Sequence, residues 1–187
     1  MAGHKEDREP TAEDPAARAR QVCLRLLTLA PRTRAQLAEA LRKRGIPDEV
    51  AGEVLGRFED VGLIDDAAFA RSWVESRHYS RGLAGRALSA ELKQRGVAAE
   101  EIRAAIAGQL GPDAEVSAAR ALVERKLPGT RGQPPEQRVR RLAGMLARKG
   151  YPAGLAYRII NEAMEAEGDG ATLEEEPSFD HDDLYTE

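Results

Sequence analysis

Few residues in this chain have the type and spacing to do covalent or metal chemistry. The three histidines, His4, His78 and His181, are scattered, and no GxGxxG, P-loop, HExxH, GxSxG or CxxC pattern accompanies them. His78 follows Arg77 near an expected helix end, where an imidazole serves the helix dipole better than general-base chemistry. His181 stands among Asp180, Asp182 and Asp183, a set that attracts a divalent cation weakly because it has no preformed geometry. Asp65-Asp66 is a carboxylate pair of the kind used in acid–base catalysis, but its place just before Ala67-Ala68-Phe69-Ala70 fits helix capping better. The single cysteine, Cys23, excludes an internal disulfide and a cysteine-based zinc site, and it falls on an apolar helical stripe. These residues support no enzyme, and they imply no cofactor and no metal.

The elements that carry them read as helices. The chain has 187 residues, enough to bury a real core. Ala, Arg, Leu and Glu dominate, all good helix formers. Apolar residues recur at helical spacing, as in Val22, Cys23, Leu26, Leu27, then Val50, Val54, Phe58, Val61, then Val116, Val123, Leu127. No alternating β-branched run is bounded by hairpin turns, so a sheet is not expected. Breaks at Pro31, Gly45, Gly62, Gly82, Gly96, Pro112, Pro128–Gly132 and Gly150 divide the chain into nine expected helices. Thr33 and Gln36 make a capping box, and Asp113 is an N-cap candidate. No stretch is long and apolar enough for a membrane span, and the charged N-terminus shows no secretory h-region, so the cytoplasm is the expected compartment.

One segment occurs three times. Leu37-x3-Leu41-Arg-Lys-Arg44-Gly45-Ile46 matches Leu88-x3-Leu92-Lys-Gln-Arg95-Gly96-Val97 and Leu142-x3-Leu146-Ala-Arg-Lys149-Gly150-Tyr151. The spacing of the copies is 51 and then 54 residues. Two leucines at i and i+4 make an apolar stripe, and a glycine just past the helix end takes the left-handed conformation that stops it. Each copy is flanked by a helix on either side, giving a three-helix unit used three times. The second copy is read as carrying one extra residue after its glycine, with Ile102 matching Val50. The third carries the insertion Pro128–Pro135 between its first two helices. Stacked units of this kind predict an all-α, elongated and curved solenoid of three tandem three-helix repeats.

Charge is sorted along the chain. The formal net charge is −4, yet residues 165–187 hold ten acidic side chains and no Lys or Arg, and residues 1–15 are also acidic. The intervening core, 16–164, carries 26 basic and 17 acidic residues. Both ends are expected to be disordered, and the acidic tail either keeps a basic protein soluble or shields its cations. Only 4% of the residues are aromatic, which excludes a base-stacking platform for single strands.

The cations cluster as Arg42-Lys43-Arg44, as Arg71 with Arg77 and Arg81, and as Lys93 with Arg95. Further clusters are Arg125-Lys126, Arg138 with Arg140-Arg141, and Arg148-Lys149. Several fall at the end of the middle helix of each repeat. A solenoid would align them as a basic stripe for a polyanionic or acidic partner. Arginine predominates, which favours bidentate contact with phosphate or carboxylate.

The stretch Phe58-Glu-Asp-Val-Gly62-Leu63-Ile64-Asp65-Asp66-Ala-Ala-Phe69-Ala70-Arg71-Ser-Trp73-Val74-Glu-Ser-Arg77 now carries a resemblance. With Gly82 and the Leu88/Leu92/Gly96 motif, it resembles the RecX family of recombination regulators over roughly residues 16–165. The resemblance implies a protein that lies along the groove of the RecA nucleoprotein filament, contacts DNA through it, and restrains its ATPase, strand-exchange and co-protease activities. Phe58, Leu63, Ile64, Phe69 and Trp73 are expected to form the core joining repeat one to repeat two, with Asp65 or Asp66 capping the incoming helix. The expected organisation is an arm at 1–15, repeats at 16–64, 65–111 and 112–165 (with the loop 128–135), and a tail at 166–187. The protein is expected to act as a monomer, without a membrane. Two other readings remain. One is a helix-turn-helix DNA-binding regulator built on Thr33–Leu41 and a recognition helix from Glu49 to Phe58, although that helix has only Arg57 as a cation. The other is a helical protein–protein scaffold with no nucleic acid.

Overall fold

A computed structural model describes residues 14–168 of the chain. Among the described residues there are nine α-helices, one short 3-10 turn and no strand. They are α1 (Pro15–Leu29), α2 (Arg34–Arg42), α3 (Asp48–Asp60), α4 (Asp66–Arg81), α5 (Gly85–Gln94), α6 (Ala99–Gln109), α7 (Pro112–Lys126), α8 (Pro135–Arg148) and α9 (Ala153–Ala166), with the 3-10 turn at Leu127–Thr130. Of the ends expected to be disordered, 1–13 and 169–187 lie outside this range, whereas Ala166 closes α9 and Glu167 and Gly168 form its end, so the expected tail boundary at 166 is corrected to beyond Gly168. Asp14 and Pro15 are within the range and already belong to α1, the Asp14 carboxylate accepting from Ala16 N at 3.0 Å as its N-cap.

Two compact units divide the chain, one running to Glu115 together with Lys149–Tyr151, the other comprising Val116–Arg148 and the residues from Pro152. The first unit holds two separate apolar clusters. Ala19, Cys23, Leu37, Leu41, Ile46, Ala51, Val54, Leu55, Phe58 and Ile64 bury one among α1, α2 and α3. Ala70, Val74, Leu88, Leu92, Val97, Ile102 and Ala105 bury the other among α4, α5 and α6. Phe69 and Trp73 are half-buried against this second cluster only. The expectation of a single core joining the two three-helix groups is therefore corrected: Phe58 and Ile64 serve the first and Phe69 and Trp73 the second. Leu63 serves neither, being 48% exposed. The left-handed turn at Gly62 explains this. Leu63 N and Ile64 N both donate to Phe58 O, and the turn delivers Ile64, one residue later, to the core.

In the second unit α8 packs on α9. Val139, Leu142 and Leu146 of α8 are buried, as are Ala156, Ile159, Ile160 and Met164 of α9 and Val123 and Leu127 before them. The exposed Arg120–Glu162 pair, 2.8 Å, ties α7 to α9. Asp113 lies inside the first turn of α7, not at its cap, where a carboxylate still faces the positive end of the dipole.

The repeat is exact in register. From each glycine (Gly45, Gly96, Gly150) the next helix opens three residues on, at Asp48, Ala99 and Ala153. The first buried residue follows at Ala51, Ile102 and Ala156, whose amides donate to Pro47 O, Ala98 O and Pro152 O. Ile102 thus matches Ala51, not Val50, and the second copy has no extra residue. The leucine pairs 37/41, 88/92 and 142/146 are all buried.

Candidate interaction surface

The glycine turns position the rest. Gly45, Gly96 and Gly150 have φ of 72°, 78° and 88°. At Gly96 an added Cβ would stand 2.3 Å from Ala35 Cβ, and at Gly150 it would stand 2.6 Å from Ala87 N. Each of these two turns receives the N-terminus of a middle helix. Thr33 Oγ1 donates to Arg95 O at 2.6 Å, and Ala84 N donates to Lys149 O at 2.9 Å. Thr33 and Ala84 stand four residues before Leu37 and Leu88, so equivalent positions meet twice, through a hydroxyl at Thr33 and a backbone amide at Ala84. Tyr151 is buried beside the second of them and donates from its hydroxyl to Gly82 O, 3.1 Å; burial pushes its pKa up to about 12. Gly45 has nothing within 4 Å of such a Cβ.

The α2 N-terminus shows how these contacts use up polar groups. Thr33 and Gln36 form the expected capping box, with bonds of 3.2 Å in each direction. Asp65 and Asp66 both cap, but different helices. Asp65 Oδ1 accepts from Ala68 N at 2.7 Å and starts α4, while Asp66 Oδ1 accepts from Arg34 N at 2.9 Å in the first turn of α2. Burial raises the Asp66 pKa, against the lowering effect of that amide. Arg34 pairs with Glu59 at 3.1 Å. Arg34, Glu59, Asp65, Asp66 and Glu101 line an open cleft of about 450 Å3 in the first unit. Asp65 and Asp66 were read from the sequence as a capping pair, whereas Arg34 and Glu101, which join them here, come from segments more than 30 residues away in the chain.

The cations expected to form a basic stripe differ in how each is engaged within its own unit. Arg44, Arg95 and Lys149 hold equivalent places and are all engaged locally. Arg44 donates to Ala40 O at 2.8 Å, Lys149 Nζ donates to Arg81 O, and the Arg95 guanidinium lies 3.8 Å from the centre of the Trp73 ring. Arg77 lies 4.2 Å from the same ring, and Trp73 Nε1 donates to Glu91 at 2.8 Å. Arg42 and Lys43 both pair with Glu39. Arg138, expected on the surface, is 1% exposed. Its Nε donates to Thr130 Oγ1 at 3.0 Å and its Nη2 to Glu167 at 2.5 Å. Four residues before Leu142, it occupies the place that Thr33 and Ala84 hold in the other copies. Arg131 also donates to Glu167, 2.7 Å, and the two guanidinium groups hold that carboxyl below the usual glutamate range. Neither Arg131 nor Glu167 was singled out from sequence.

What remains exposed is a smaller set. Arg71, Arg81 and Lys93 in the first unit, and Arg125, Lys126, Arg140, Arg141 and Arg148 in the second, have exposed side chains that form no ion pair among the described residues. Arg140, Arg141 and Arg148 lie on the side of α8 away from buried Val139, Leu142 and Leu146. Such faces bind anions without chemistry. Among the described residues no cluster of His, Cys, Asp and Glu is arranged to hold a metal, and no helix is long and apolar enough to cross a membrane. Cys23 is buried, and burial raises its pKa.

Comparison with known proteins decides the family. Models of the first, second and third three-helix domains of RecX match residues 19–58, 65–106 and 113–160. The chain belongs to the RecX family. A regulatory protein RecX from Thermobifida fusca is 64% identical over 156 residues, covering 83% of this chain and 84% of the relative. One from Streptomyces coelicolor is 60% identical, covering 83% and 82%, and one from Mycolicibacterium smegmatis is 48% identical, covering 83% and 86%. A crystal structure of regulatory protein RecX superposes with a TM-score of 0.70 at 25% identity, over 80% of this chain and 72% of that one. The crystal structure of RecX from Lactobacillus salivarius gives 0.72 at 19% identity, over 80% and 96%. Both share the fold, and this RecX-family chain is a regulatory protein by its relatives.

Proposed function

We propose that this protein is a negative regulator of recombination and DNA repair that binds in the groove of the RecA nucleoprotein filament. It inhibits the filament's ATPase, strand-exchange and co-protease activities. The observation that carries this reading is the family membership along all three three-helix domains, supported by exposed arginines on α4, α7 and α8 that form no ion pair among the described residues. The action is steric and electrostatic: arginines contact acidic protein surfaces or the phosphates lying in the groove, and no covalent step or cofactor is needed. The protein acts in the cytoplasm as a monomer, and its repeats, 16–64, 65–111 and 112–165, engage successive filament subunits. Binding across subunits supplies an avidity that a free recombinase monomer does not offer.

The helix-turn-helix reading loses ground on one feature. Its recognition helix, α3, opens with Asp48 and Glu49, and two carboxylates at the end that reads bases repel a phosphate backbone. The deciding experiment measures inhibition of RecA's DNA-dependent ATPase beside binding to bare DNA. Inhibition at substoichiometric protein with weak bare-DNA binding is expected. Tight binding to one DNA sequence without RecA would favour the transcriptional regulator, and neither effect would favour a protein scaffold.

A further inference from the structure

The end of α9 brings one carboxylate onto basic ground. Glu167 accepts from Arg131 and Arg138, and Gly168, with φ of 84°, terminates the helix just beyond it. The chain continues for 19 residues that hold eight carboxylates and no Lys or Arg. The same unit presents Arg140, Arg141 and Arg148 on the outer side of α8, with Arg125 and Lys126 at the end of α7, all exposed and outside any ion pair among the described residues. Reach is ample. Arg148 lies ten residues along α8 from Arg138, about 15 Å at helical rise, whereas 19 residues extend to at most ~65 Å.

We propose that residues 169–187 dock as an intramolecular polyanion on the outer face of α8 and compete there with nucleic-acid phosphates. The inference rests on the reading that this face takes polyanions. Three features support it. Glu167 shows that carboxylates from this part of the chain pair with arginines of the unit. The charges are complementary, eight acids against a set of cations that form no ion pair among the described residues. Tethering also makes the contact intramolecular, so weak exposed ion pairs act at high effective concentration. An external phosphate chain then reaches the arginines only by displacing the segment, which sets a threshold that a dense or multivalent polyanion exceeds and a short stretch of DNA does not.

The test compares the full chain with a variant ending at Gly168, which keeps Glu167 and its arginines. A fluorescent single-stranded oligonucleotide is the probe, and circular dichroism confirms the same fold. At low salt the shortened chain is expected to bind about tenfold tighter, and the gap to close at high salt as screening removes the tether's advantage. A full-length variant with the eight acids changed to Asn or Gln should behave like the shortened one. In an Arg140→Ser/Arg141→Ser/Arg148→Ser background the gain should vanish. Equal affinities of the full and shortened chains at low salt would overturn the proposal, as would a gain that persists in the triple variant. The probe contains no recombinase, so failure here and failure of RecA inhibition are separate results.

Discussion

The turns at Gly45 and Gly150 share a sequence pattern, a left-handed glycine and a preceding cation, yet one is open and the other closed. At Gly150 the backbone of Ala87 occupies the place where a side chain would go, Ala84 N reaches Lys149 O, and Tyr151 is buried. At Gly45 nothing among the described residues comes within 4 Å of that place. Gly96 belongs with Gly150, with Ala35 against it and Thr33 bonded to Arg95 O. A glycine that recurs in a repeat can thus serve two masters: at every copy it ends a helix, and at the second and third it also admits another helix. Only the second role depends on tertiary structure.

The largest effects should come from filling the closed turns. Gly150→Ala and Gly96→Ala add a Cβ against backbone or a rigid methyl group and force an alanine into the left-handed region. Each should cost about 3 kcal/mol or more, read as a lowered denaturation midpoint. Gly96→Ala should be partly rescued by Ala35→Gly, which removes the methyl group it meets, whereas Gly150→Ala should not be rescued by Ala87→Gly, because the backbone amide remains. Additive behaviour of Gly96→Ala and Ala35→Gly would contradict the close approach.

Arg138 sharpens the comparison at the third copy, where it stands in the place of Thr33 and Ala84. Its charge is enclosed, with Thr130 and Glu167 as partners. Arg138→Ala should destabilise by about 2–4 kcal/mol, since it leaves a void and removes the main partner of Glu167. The Glu167 carboxyl is held below its usual range, so its contribution is present above the ordinary glutamate pKa and is lost as pH falls through the lowered value. Acid titration should therefore narrow the difference between the wild-type chain and Glu167→Gln.

Much of this was legible in the sequence. The breaks at Gly45, Gly62, Gly82, Gly96 and Gly150 all have positive φ, and the capping box at Thr33 is present, because both are local consequences of residue type. The family resemblance was carried chiefly by the stretch from Phe58 to Arg77, within which Leu63 itself proved exposed. What sequence did not reveal is how each arginine is spent. Arg77 and Arg95 lie over Trp73, and Arg138 pairs with a glutamate 29 residues away; such partners are set by packing, not by neighbours in the chain. Arg138 carried one usable signal, its alignment with Thr33 and Ala84, but a long arginine replacing small residues reads as a surface position until the extra turn before it is seen.

Thr33 and Tyr151 test the closed turns more gently. Thr33→Ala removes a cap and the bond to Arg95 O and should cost about 1–2 kcal/mol. The neutral Tyr151 phenol is favoured in the folded state. Its contribution is complete below the usual tyrosine pKa near 10 and is lost as pH rises toward about 12. Stability of the wild-type chain should fall over that range, and Tyr151→Phe should fall less.

The smallest expected effect isolates geometry from crowding. Asparagine adopts the left-handed conformation more readily than alanine does, so Gly→Asn separates the cost of φ from the cost of a side chain. At Gly45, with a φ of 72° and open space, Asn should cost about 0.5 kcal/mol or less. At Gly96, whose φ of 78° is nearly the same, Asn should cost far more than at Gly45 and fall short of Ala only by the φ difference, because its Cβ meets Ala35 at the same point. Equal, small losses at the two positions would mean that Ala35 moves aside and that the second turn is closed only by the Thr33 bond. Unequal losses would assign the difference to packing, since the backbone angle is held in common.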